Sequence, residues 1–134
     1  MLSFVLGVHR ALVPIILVIG GLALVTGIAC IVLSRREGGA EAAGPQSAVG
    51  RGFRLLLWAA AGLGVLQGVF GLLLLTQGQR PAEGLHFVYG IIVAGAVPLA
   101  YVYSDQKDVR RDVIVMTVAA AAVIGAAIRA IATG

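Results

Sequence analysis

Four stretches without a charged residue divide this chain: Ala11–Ser34, Leu55–Gln79, Gly84–Ser104 and Val113–Ile128. A helix climbs about 1.5 Å per residue and the hydrocarbon core of a bilayer is about 30 Å thick, so about 20 apolar residues cross it. The first three stretches reach that length outright. The fourth reaches it because Arg129 can extend its charged head toward the interface and carry the helix on to about Thr133. The pattern predicts an all-α integral membrane protein, a four-transmembrane-helix bundle of up-down topology forming one domain over residues 1–134. The expected helices run about 3–34, 53–77, 82–104 and 109–132, with a flexible loop at 35–52. Composition agrees, because a chain 60% hydrophobic and 12% charged has too few polar residues to cover a soluble surface.

Each connecting loop has its own character. "SRREGGAEAAGPQSAVGRG" is rich in Gly and Ala and carries no phosphate-binding or catalytic motif. "QGQRPAEG" reads as a tight turn, with Pro81 placed to begin the third helix. "SDQKDVRRD" is short and charged, and Asp112 suits the first turn of the fourth helix. The first and third loops share one side of the membrane and hold Arg35, Arg36, Arg51, Arg54, Lys107, Arg110 and Arg111, seven of the ten basic residues. Arg10, Arg80 and Arg129 lie on the other side. The excess of Lys and Arg places the two longer loops in the cytoplasm and both termini outside, as expected for a bacterial or archaeal cytoplasmic membrane.

Membrane topology also accounts for the net charge of +4 and the pI near 10.0, so the bilayer is the expected partner and nucleic acid is not. No cleavable leader is expected, because the first basic residue, Arg10, falls inside an apolar segment. Cys30 is the single cysteine, which excludes an intrachain disulfide and paired-cysteine metal or haem attachment.

The two histidines carry the functional signal. His9 and His86 each lie near the start of a helix that begins on the outer side, so they share a depth. The first and third helices of an up-down bundle are diagonal neighbours across its core. Two imidazoles at one level on facing helices suit the axial positions of a six-coordinate haem b. A porphyrin between helices needs small neighbours. Gly90 and Ala94 follow His86 along one face, then Pro98; Gly20 and Gly27 lie below His9; Gly64, Gly68 and Gly71 mark the second helix. Ala119 to Ala122 and Gly125 mark the fourth. Small residues also form ordinary packing seams between membrane helices, and an interfacial histidine also bonds carbonyls or headgroups.

Arg10, Arg80 and Arg129 stand near the level of the histidines, where haem propionates would need cations. Arg10 is turned about 100° from His9, so it can edge a cofactor without ligating it. Gln67 is the one strongly polar residue deep in the second helix, placed to bond a cofactor or a neighbouring helix. No acid lies within any apolar run, which argues against proton-coupled export, and no Ser-His-Asp or metal-carboxylate set can be assembled.

"HRALVP", "LQGVFGLLLL" and "LHFVYG", in successive helices, resemble the haem A synthase family. That family has two similar four-helix halves, each with a His-Arg, a Gln-Gly and a Leu-His helix. The resemblance spans about residues 6–100 and implies that His9 and His86 are axial haem ligands at the outer face. This chain is about half the family's size, and its extra helix follows the motif helices instead of preceding them. Leu6 stands where the family's oxidising half has a glutamate, so the chain looks like the cofactor-holding half and a catalytic role is not expected. The sequence reading is a membrane b-type cytochrome with one haem b between His9 and His86, for electron transfer or service to a larger respiratory or haem-handling complex. A non-catalytic structural subunit of such a complex, and a half-sized synthase acting as a homodimer, remain as alternatives.

Overall fold

The computed structural model describes residues 1–104 and 107–134; Asp105 and Gln106 of the third loop lie outside the described residues. The elements are α1 (Leu2–Ser34), α2 (Gly39–Ala43), α3 (Ala48–Thr76), α4 (Leu85–Tyr103) and α5 (Val109–Thr133). Four helices among the described residues are long and apolar enough to cross a membrane. Together they form an all-α four-helix bundle. Both α1 and α4 pack beside α3 and α5, which leaves α1 and α4 facing each other across the diagonal.

Helical periodicity selects the core. On α1, Ile16, Gly20, Ala23, Gly27 and Cys30 recur at alternating intervals of four and three and are all buried. Phe53, Leu57 and Ala60 of α3 and Met116, Ala120 and Val123 of α5 join the same core. Small residues set the spacing, as expected where lipid is no less apolar than the helix interface. A Cβ on Gly27 would stand 2.8 Å from the Phe53 ring and would also press on the Thr117 hydroxyl. The stripe is continuous through α1, α3 and α5. On α4 only Val93 and Val97 are buried.

Three boundaries differ from the sequence expectation. The segment at 35–52 is partly helical. It contains α2, and α3 begins at Ala48, five residues before the expected start. Ser47 caps α3, its hydroxyl accepting from the Gly50 N–H at 2.9 Å and donating to the Gly44 carbonyl at 2.9 Å. The glycines serve close approach: a Cβ at Gly39 would collide with the Leu33 carbonyl, and one at Gly50 with the Gly44 carbonyl. Pro81 does not open α4, which starts at Leu85. The intervening turn is tied to the end of α5, where the Glu83 N–H donates to the Thr133 carbonyl at 3.1 Å.

At the opposite end of the bundle, Arg54 of α3 forms an ion pair with Asp112 of α5. Asp112 occupies the first turn as expected. Asp108 is the cap, accepting from the Arg111 N–H at 3.1 Å.

Candidate cofactor site

Because α1 and α4 enter from the same end and face each other diagonally, His9 and His86 meet. Their ring centroids are 6.3 Å apart and the ring planes are inclined at 46°. A metal held between two imidazoles, each ring nitrogen about 2 Å away, places the centroids about 6 Å apart. The observed spacing fits that arrangement. His86 lies in the first turn of α4, nearer its helix start than His9 is to its own, because the turn at 80–84 delays α4.

The two rings are held differently. His86 donates from Nδ1 to the Ala130 carbonyl of α5 at 3.0 Å, which leaves Nε2 with its lone pair. A main-chain acceptor behind a ring nitrogen fixes the tautomer and orientation of a metal-binding imidazole. Gln67 of α3 faces His9 Nε2 through its amide at 3.4 Å. His9 Nδ1 and Gln67 Oε1 are both buried without a hydrogen-bond partner. Each orphaned polar atom costs about 1–3 kcal/mol, so this wall of the bundle is paired poorly by the protein alone.

A cleft of about 930 Å³ adjoins both histidines. That lies toward the upper end of the roughly 300–1,000 Å³ typical of ligand pockets. Gly68, Gly71, Gly90 and Ala94 line it. A Cβ on Gly68 or Gly90 would meet nothing within 4 Å, so larger side chains at these positions would project into the cleft. The residues present fit a flat apolar group approached by an imidazole from each side: His86 keeps Nε2 off the bond to Ala130, whereas His9 would have to turn from Gln67, which its Nε2 faces, to offer a nitrogen.

Of the residues singled out in the sequence, His9, His86, Gln67, Gly90, Arg10 and Arg80 all line the cleft. Arg129 does not. Its guanidinium lies over the Tyr89 ring, 5.8 Å from the centroid. A residue adjacent to Ala130, which does line the cleft, is rotated about 100° around α5. Gly20 and Gly27 also serve another purpose, packing α1 against Ile124 and against Phe53 with Thr117. Pro98 is exposed and away from the cleft. Ala130 was not singled out, because a backbone acceptor carries no side-chain signal.

Leu6 lines the cleft, and no carboxylate does among the described residues. No group of three or more His, Cys, Asp or Glu side chains gathers to hold a metal among them either. The arrangement therefore brings two imidazoles, two arginines and an apolar wall to one cleft. No family model matches the chain, and neither a curated protein nor a solved structure was found to match it.

Proposed function

We propose that this protein is a small membrane cytochrome that holds one haem b between His9 and His86. The observation that carries the reading is the meeting of the chain's only two histidines at a centroid distance of 6.3 Å beside the cleft. Bound haem b would supply a one-electron iron couple. His86 presents Nε2, oriented by the Ala130 carbonyl; His9 presents its ring from the facing helix. Arg10 and Arg80 provide positive charge for the propionates, and the apolar walls of α3 and α4 keep water from the ligands. These are the levers by which a protein tunes such a couple: axial ligands, burial and nearby charge. The role is electron transfer, or service to a larger respiratory or haem-handling assembly. The test is the visible spectrum of protein purified from haem-replete cells. A sharp Soret band and low-spin α and β bands on reduction are expected. A colourless protein would favour a structural subunit without cofactor.

The resemblance to the haem A synthase family extends to the ligand pair and stops at the chemistry. Oxidation of a porphyrin methyl group needs a reacting group beside it, and Leu6 occupies the place of the family's glutamate. Glu83 is exposed and is not among the residues lining the cleft. Co-expression with a haem O synthase, in a host lacking haem A, should therefore yield haems O and B alone. Accumulated haem A would replace the cytochrome reading with a half-sized synthase.

The charge distribution supports an orientation with both termini outside and the ends carrying α2 and Asp108 in the cytoplasm. A cysteine placed at exposed Gln46 should resist impermeant thiol reagents in intact cells, whereas one at exposed Gln79 should react. The opposite labelling pattern would turn the histidine site toward the cytoplasm.

A further inference from the structure

The cleft is closed below and open to one side. At its floor α3 and α4 touch closely: a Cβ on Gly64 would stand 2.9 Å from the Val93 side chain and 3.0 Å from its carbonyl oxygen. Nearer the histidines, Gly68 and Gly90 have nothing within 4 Å of a Cβ. Val65, Val69 and Leu72 of α3, Phe87 and Ile91 of α4 and Ile131 of α5 line the cleft and are each more than a third exposed. Residues with both properties mark a rim. All six are apolar and lie in spanning helices, five of them on α3 and α4, so this rim faces acyl chains chiefly along that seam. The upper part of α4 is tied to α5 by the bonds from Glu83 to Thr133 and from His86 to Ala130. The seam with α3 is left open.

The geometry points to a lateral portal: a membrane-dissolved amphiphile enters the cleft sideways between α3 and α4, with its anionic end toward Arg10 and Arg80. Both arginines line the same cleft, and no acid among the described residues opposes them there. An anionic group is favoured beside such cations, while the apolar body exchanges acyl chains for Val69 and Ile91 with little cost. Haem b has this chemistry, and so does an anionic phospholipid. The identity of the ligand rests on the cytochrome reading, whereas the route does not.

The test uses the full chain with Cys30→Ala and a spin label at Ile91→Cys, on the rim where a large side chain already stands, in phosphatidylcholine vesicles. Collisional relaxation is compared for oxygen, which concentrates in lipid, and for a water-soluble nickel chelate. Oxygen should dominate, and adding haem b should produce a loss of oxygen accessibility. Val69→Cys, across the rim on α3, serves as a second label position should the first variant fold poorly. Dominance of the chelate at both positions would overturn the portal. Loss of oxygen access with phosphatidylglycerol but not with haem b would support the portal and remove the cytochrome reading. No loss with either ligand would overturn the proposal that an anionic amphiphile occupies it.

Discussion

Replacing either His9 or His86 by Ala should abolish the low-spin spectrum of the purified protein, and each single variant should do so. The expectation follows from the geometry, because the rings oppose each other at 6.3 Å and no third imidazole exists in the chain to substitute. A six-coordinate iron that loses one strong axial ligand becomes high-spin or leaves the protein. Gln67→Leu provides the comparison: it removes the amide facing His9 but neither ring, so low-spin bands should persist with shifted potential. Helical circular dichroism of each variant separates loss of ligation from loss of fold. A low-spin spectrum surviving in either histidine variant would sink the shared-ligand arrangement.

The second large effect lies at the other end of the bundle. Asp112 is 2% exposed and paired with Arg54, yet its Oδ1 has no hydrogen-bond partner. A buried pair with an unsatisfied oxygen recovers little of its desolvation cost, but removing one partner strands the other charge. Arg54→Ala should therefore destabilise the bundle by about 3–5 kcal/mol, measured by denaturant titration in mixed micelles. The double variant Arg54→Met with Asp112→Leu should recover most of that loss, because no charge is then left buried. A double variant no more stable than the single one would show that packing at these positions outweighs the charge. The haem spectrum should survive the double variant, since the pair and the histidines occupy opposite ends of the bundle.

The spans and the facing of the two histidines were legible because both depend on simple properties: length without charge, and parity of helix direction. Arg129 shows where such reasoning runs out. Depth follows from sequence position, but the side of α5 on which Arg129 emerges depends on how that helix is rotated against α4. The Tyr89 contact is a product of that rotation. The helical content of 35–52 was hidden for another reason. Its Gly and Ala content suggests freedom in isolation, whereas Gly39 and Gly50 are small so that backbone can pack on backbone. Ser47 is the only Ser, Thr, Asp or Asn between residues 35 and 75, but the charge-free run that marks the helix begins only at Leu55; Asp108 shares its stretch with Ser104, Asp105 and Asp112, which have a similar claim.

The bonds from His86 to Ala130 and from Glu83 to Thr133 have a consequence for biogenesis. The first three spanning helices leave the ribosome with His9, Gln67 and His86 already made, but His86 still lacks the carbonyl that orients it. That carbonyl arrives only with the last turn of α5. On the cytochrome proposal, a partly inserted chain would carry both imidazoles without a finished grip on haem, and uptake would be a checkpoint that only a fully assembled bundle passes.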